Sequence, residues 1–275
     1  MSVPSKQKEV LQPSRLRARR RKVRIVKGVF FFVLISLLVG GAIGSFYIPA
    51  LRVRDVAVFD AKTVDAKEVE QALRSVLSGR KWLVLPRNNA FIFSEEELRD
   101  KVEHDFPKVK KIDIELSNFH TIETRIEERS PYALWCGENK DAPVPCVYID
   151  TAGVVYEPSA EYSGDAYTKW YGEVAGGLLG GVYLGEVSSS LFPLVAELKK
   201  DGVSAQTVVV ERNGDVRVVS EGGFELLFTV NQKPESLLSS LRTAKASEAL
   251  KDKSFSDLLY LDMRFSDNRL YYKFK

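Results

Sequence analysis

Residues 28–48 form a 21-residue run without a single charge, and this run sets the terms for everything downstream. At about 1.5 Å per helical residue it extends roughly 31 Å, the thickness of a bilayer's hydrocarbon core at ~30 Å. Thirteen of its residues are Val, Leu, Ile or Phe, each worth roughly −0.3 to −0.6 kcal/mol near the membrane centre. A secretory signal peptide is the rival reading, but its apolar region runs only ~7–15 residues and ends at a small-residue cleavage site. Here Phe46-Tyr47-Ile48-Pro49 closes the run, a poor cleavage site and a good interfacial aromatic anchor. The expectation is a retained transmembrane helix in contact with the lipid bilayer.

Charge supplies the orientation. Residues 1–27 hold ten Lys/Arg (Lys6, Lys8, Arg15, Arg17, Arg19, Arg20, Arg21, Lys22, Arg24 and Lys27) against Glu9 alone, whereas only Arg52 and Arg54 lie close on the far side. The positive-inside rule predicts a cytoplasmic tail, with residues 49–275 outside. With +9 in the tail and +3 overall, residues 28–275 carry −6. The basic run Arg15–Arg24 could suggest nucleic-acid binding. Beside a membrane span, a topology signal that touches anionic lipid is the simpler reading. Within the span, Gly40 and Gly44 make a GxxxG pair, a helix-packing face in principle, although glycine is common in such helices.

The exported part is long enough for two domains. In its first stretch Arg52–Phe59 reads as a strand. A helix opens at Asp65 with Glu68 three residues on, carries Val69, Leu73, Val76 and Leu77 on one face, and stops at Gly79. A second helix opens at Ser94, with Glu97 completing the capping pattern, and ends at Phe106-Pro107. Two alternating strands follow: Ile112, Ile114 and Leu116 against Lys111, Asp113 and Glu115, then Ile122, Thr124 and Ile126 against Glu123, Arg125 and Glu127. Each has one apolar and one charged face, the pattern of a half-buried sheet. The charged stripes read as a solvated face.

The remainder is mostly β. A strand enters at Ser130–Trp135, Pro143 to Pro145 form a turn, and Val147–Tyr156 reads as a hairpin turning at Thr151 to Gly153. Residues 157–190, rich in Gly, Tyr and Ser, have weak periodicity and read as a long loop or irregular strands. Within them Ser188–Ser190 reads as linker. A short helix is expected at Leu191–Lys200. Strands Thr207–Glu211 and Asp215–Ser220 flank Arg212-Asn213-Gly214, a hairpin signal. Phe224–Val230 is another strand. Pro234 starts a helix carrying Leu237, Leu238, Leu241 and Ala244. Strands at Leu258–Phe265 and Leu270–Phe274 close the chain. The fold class expected is α+β.

These segments resemble the FtsQ/DivIB bacterial cell-division proteins over essentially the whole length. The order β-α-α-β-β behind a membrane anchor looks like a POTRA domain. Phe106-Pro107-Lys108-Val109 resembles the family's "FP-x-V". Ile126-Glu-Glu-Arg129-Ser-Pro131-Tyr-Ala133-Leu-Trp135 resembles its domain junction, Tyr148–Tyr156 its "D-x-x-G" hairpin, and Tyr260-Leu-Asp262-Met-Arg264-Phe265 its aspartate–arginine strand. The Gly/Tyr-rich segment 157–190 matches no family pattern.

The resemblance implies a tail at 1–27, a transmembrane helix at 28–48, a POTRA domain at 49–129 and a β domain at 130–275. It implies a non-enzymatic scaffold at the division septum. Its partners would be small coiled-coil proteins of the FtsB/DivIC and FtsL kind and, through them, septal peptidoglycan synthases. It implies no cofactor, no nucleic acid and no small-molecule substrate. In this family a partner strand adds beside the last strand region of the β domain. Here those strands are the last in the sequence, so an uncovered edge is expected, open to a partner. Tyr271 and Tyr272 offer surface, and Arg264 and Arg269 supply charge that would select an acidic segment. Following the family, Phe265 is the leading hot spot and Arg212 a secondary one. The competing reading packs these aromatics on the helix that starts at Pro234.

Chemistry for other classes is thin. His104 and His120 have no ligating neighbour at zinc spacing. Neither a G-x-S-x-G elbow nor a P-loop occurs, and the cluster Gly176-Gly177-x-x-Gly180-Gly181 lacks the strand and helix of a dinucleotide fingerprint. A membrane-tethered cell-wall hydrolase, built on two convergent carboxylates in a cleft, is the alternative class. Cys136 and Cys146 are the only cysteines, and they stand either as a disulfide or as two packed thiols.

Overall fold

The computed structural model describes residues 13–81, 85–142, 144–160, 166–265 and 269–275. The tail residues Lys6, Lys8 and Glu9, Pro143 and parts of the 157–190 and 266–269 segments lie outside them.

Residues 28–45 of the apolar run sit inside a longer helix, α1 (Pro13–Ser45), and Phe46 to Ile48 follow it as a tighter turn. Arg and Lys are strong helix formers, so the helix continues back through the basic segment instead of starting at Gly28. From Arg19 to Ser45 the helix is long and apolar enough to cross a membrane, and its apolar stretch is not buried by any of the described residues. Ile48 precedes Pro49 and is extended (φ −61°, ψ 123°), which ends the helical path.

A first module follows: β1 (Asp55–Phe59), α2 (Ala66–Leu77), the two-residue strands β2 (Arg80–Lys81) and β3 (Leu85–Pro86), α3 (Glu95–Asp105), β4 (Val109–Ser117) and β5 (Thr121–Glu128). The sheet order is β1-β5-β4, with β1 parallel and β4 antiparallel to β5. Asp65 caps α2 by accepting from Lys67 N at 2.8 Å, and Ser94 Oγ caps α3 by accepting from Glu97 N at 3.3 Å. Val69, Leu73 and Leu77 of α2 and Leu98 and Val102 of α3 pack on Ile112, Ile114, Ile122 and Ile126 to make one core. The expected strand from Arg52 begins only at Asp55. Arg52 and Val53 instead pair with the loop before α3, Arg52 bridging Asn89 and Val53 N donating to Asn88 O, while Arg54 N and Asp55 N both donate to His120 O.

The second module is built on a nine-stranded sheet of order β16-β15-β14-β13-β12-β9-β6-β7-β8. Its strands are β6 (Ala133–Trp135), β7 (Val147–Ile149), β8 (Val155–Pro158), β9 (Lys169–Tyr171), β12 (Ala205–Val210), β13 (Asp215–Ser220), β14 (Glu225–Thr229), β15 (Leu258–Asp262) and β16 (Tyr271–Phe274). A small ribbon, β10 (Val174–Ala175) with β11 (Val182–Tyr183), stands apart. The pairings are mostly antiparallel, the exceptions being β14–β15, β12–β9 and β6–β9. Helices α4 (Val187–Leu198) and α5 (Pro234–Ala246) cover one face, where Leu191, Phe192, Leu198, Leu237 and Leu241 meet Trp170, Val208, Val218, Leu226 and Leu261. The molecule is therefore mixed α+β.

Of the two forms expected for segment 157–190, the described residues show the second, short irregular strands. The segment supplies β9, which lies near the middle of the sheet between β12 and β6. Its Trp170 is 1 % exposed and packs edge-on to Phe192, ring centroids 4.8 Å apart. Three residues are too few to set up a period, so the strand exists only through its two neighbours. The glycine cluster forms the β10–β11 turn. A Cβ on Gly181 would strike the carbonyls of Gly177 and Ala175, so packing explains that glycine. Ser188–Ser190 belong to the first turn of α4, not to a linker, and buried Ser188 donates to Gly185 O at 2.8 Å.

The modules join at the Arg129 junction. Arg129 N donates to Lys108 O (2.8 Å), its Nε to Pro107 O (2.9 Å), and its guanidinium to Asp150 Oδ2 (2.6 Å). Lys108 adds an ion pair to Glu157 at 2.7 Å.

Candidate functional site

The end of the chain places four exposed aromatic residues, Phe265, Tyr271, Tyr272 and Phe274, at one margin of the large sheet. β16 runs antiparallel to β15, pairing Tyr271 with Asp262, Tyr272 with Leu261 and Lys273 with Tyr260. Its other side pairs with no strand among the described residues, so part of its backbone N–H and C=O row faces outward. Alternation divides the side chains between the two faces. Tyr271 continues the outer row Arg217, Leu227, Asp262, and Tyr272 continues the helix-side row Val218, Leu226, Leu261. All four β16 residues are exposed. The rows on the helix side are buried up to Leu261 and open at Tyr272, because the helical cover stops short of the margin.

Phe265 lies just past β15, 48 % exposed, with its ring edge-on to Tyr271 at 4.9 Å. It rims two concavities. One is a groove of about 480 Å³ between α5 and the segment after β15, lined by Ser236, Ser240, Thr243, Met263, Arg269 and Leu270. The other is a shallow face with Leu227, Tyr260 and Tyr271. Phe265 thus presents an exposed ring between two hollows beside the unpaired edge.

Arg264 has a different role from the one expected of it. Its guanidinium donates to Asp262 at 2.9 and 2.6 Å and to Asp215 at 2.6 Å. Burial raises the Asp262 carboxyl, but the Arg264 hydrogen bonds outweigh this and hold it below the ordinary value. The same bonds raise the Arg264 guanidinium. Arg264 thus ties β15 across β14 to β13, and its charge is spent on two carboxylates. Asp262 Oδ1 also accepts Arg264 N at 3.1 Å. That local turn removes an amide from the ladder and explains why the strand expected to reach Phe265 stops at Asp262. Gln232 then steadies the turn, donating to Met263 O at 2.6 Å.

The other expected site residues fall elsewhere. Arg212, at the β12–β13 turn, is 80 % exposed in its side chain and pairs with Glu138 at 2.8 Å. It lines neither hollow that Phe265 rims. Cys136 and Cys146 are joined by a disulfide, set in a small cluster with Leu134 and Tyr171 on the sheet face away from the helices. Gly40 and Gly44 have open space beside them. His120 Nδ1 lies 3.3 Å from Arg52 O, and the described residues hold no cluster of three or more potential metal-ligating side chains.

Asp215, Gln232, Leu227 and Leu270 complete the edge, and no local motif marks them, since only the register brings them there. No family model and no curated protein matches the chain.

Proposed function

We propose that this chain is a bitopic, non-enzymatic scaffold of the FtsQ/DivIB kind, acting in bacterial cell division. The observation that carries the reading is the unpaired β16 edge with Phe265 packed edge-on to Tyr271 at its corner. In this reading α1 crosses the plasma membrane with its basic end in the cytoplasm, and both modules stand outside. The first module, whose longer elements run β1-α2-α3-β4-β5, serves as a POTRA domain. The second presents its last strand to an extended segment of an FtsB/DivIC-like partner. Backbone pairing with β16 supplies affinity. Phe265 and the groove beside α5 supply specificity, with Arg269 and Lys273 favouring an acidic stretch. The FtsL-like protein and the septal peptidoglycan synthases join through that partner.

Truncating an aromatic anchor at such a centre costs about 2 kcal/mol or more, roughly thirtyfold in affinity. Phe265→Ala should therefore abolish midcell recruitment of the FtsB-like partner while the purified protein keeps its melting temperature. A Phe265→Ala protein that binds this partner as tightly as the parent would exclude the edge as its site.

A further inference from the structure

Among the described residues of the first module and its linker (46–129), four large apolar side chains are exposed: Ile48, Phe59, Phe91 and Phe119. Three of them gather at the end where α1 arrives. Phe59 closes β1 at the far end, because Asp55, not Phe59, pairs beside the β4–β5 turn.

Short hydrogen bonds hold this end together. Asn89 is fully buried; its Nδ2 donates to Phe46 O at 3.0 Å and its Oδ1 accepts Phe91 N at 2.9 Å. Ala90 N donates to Leu51 O at 2.8 Å. From the other side, His120 O accepts Arg54 N at 2.8 Å and Asp55 N at 3.1 Å, next to Phe119 in sequence. Two loops distant in sequence therefore clamp the strap that leaves the helix. They set Phe91 and Phe119 side by side, ring centroids 5.9 Å apart, 65 % and 52 % exposed.

The backbone adds a second observation. Asn118 and Phe119 both have positive φ, +52° and +58°, and His120 N donates to Ser117 O at 3.3 Å. This is a type I′ turn, whose second central position suits glycine. A phenylalanine is disfavoured there by conformation, and its ring is left in water as well. Strain kept together with exposure at one spot points to contact with something outside the chain.

We infer that Phe91 and Phe119 form an aromatic wedge that rests in the outer headgroup–acyl boundary of the bilayer that α1 crosses, fixing the tilt of the first module over the membrane. The inference rests on reading α1 as a membrane span. The bilayer is the occupant because the apolar run ends at Ile48, and Asn89 bonds the carbonyl of Phe46 within that run. A surface tied so closely to the end of a span meets lipid before any other partner. Aromatic side chains favour that depth. Arg52, with its guanidinium 5.5 Å from the Tyr47 ring centroid, and Arg54 lie on the same strap within reach of lipid phosphates.

The test uses the full chain, with its disulfide intact, in phosphatidylcholine–phosphatidylglycerol liposomes. Single cysteines at Asn118→Cys, Ser240→Cys and Leu37→Cys carry an environment-sensitive fluorophore, quenched by nitroxides placed shallow or deep in the acyl chains. The Asn118 label should be quenched by the shallow nitroxide at least twofold more than the Ser240 label. A Phe91→Ser/Phe119→Ser background should bring it to the Ser240 level, whereas Phe91→Leu/Phe119→Leu should retain most of it. If Leu37 is quenched by the deep nitroxide and Asn118 behaves like Ser240, the wedge is wrong and the anchor stands. If Leu37 escapes the deep nitroxide, the anchor fails and the wedge with it. An Asn118 label shielded from iodide yet untouched by either nitroxide would mean protein contact and would also overturn the wedge.

Discussion

Arg129 and Asp150 form the principal buried charge contact between the two modules, 2.6 Å apart, with the Asp150 side chain only 4 % exposed. The other Asp150 oxygen accepts Ala152 N and Val154 N, each at 2.9 Å. Asp150 thereby shapes the β7–β8 turn while Arg129 holds Pro107 of the first module. One ion pair fixes a turn and a junction together.

Removing only the cation leaves a buried carboxylate with backbone donors and no counter-charge, the costly way to break such a pair. Arg129→Ala should destabilise the protein by about 3 kcal/mol, measured as a fall in the urea midpoint. Arg129→Ala/Asp150→Asn should recover part of that loss. An unchanged midpoint for the single variant would show the pair to be idle.

Acid should loosen the first module through Glu128. Its Oε1 accepts Lys62 N (2.7 Å), Thr63 N (2.8 Å) and Val64 N (3.0 Å), and its Oε2 accepts the Thr63 hydroxyl. Burial raises this carboxyl, but the Thr63 and backbone hydrogen bonds outweigh it and lower it from 4.5 to about 2. A depressed folded value means the stabilisation is fully present above pH ~4.5 and is lost as pH falls towards ~2. Glu128→Gln should therefore cost about 1–2 kcal/mol at pH 7, with a smaller deficit at pH 3. A deficit that stays constant from pH 7 to 3, read from melting temperatures, would contradict this.

Trp170 tests the centre of the large sheet. Trp170→Ala should cost about 3–5 kcal/mol through the cavity it leaves. Its Nε1 is buried with no hydrogen-bond partner, so Trp170→Phe removes an unsatisfied donor and should cost much less, about 1–2 kcal/mol. Equal losses for the two variants in chemical denaturation would argue against the packing described.

Orientation is checked by thiol access in intact cells, with Cys136 and Cys146 replaced by Ser. A cysteine at Ser240 should react with an impermeant reagent, and one at Ser5 should not. The reverse pattern would place the basic tail outside.

Much of the architecture was legible in single segments. The apolar run, the Asp65 and Ser94 caps, the alternation of Ile112–Leu116 and Ile122–Ile126 and the Asn213-Gly214 turn each carry their instruction within a few residues. Short-range sterics and one-sided burial suffice to form them. Tertiary structure alone decided what those segments meet. β9 is a strand because β12 and β6 flank it. Arg264 is a brace because Asp215, 49 residues away, arrives beside it. Phe91 reaches Phe119 because Asn89 and His120 fasten both loops to the strap below α1. Such contacts depend on strand register and on which face of the sheet the helices cover. Register is the outcome of many distant pairs settling at once, so no local stretch of the chain can encode it.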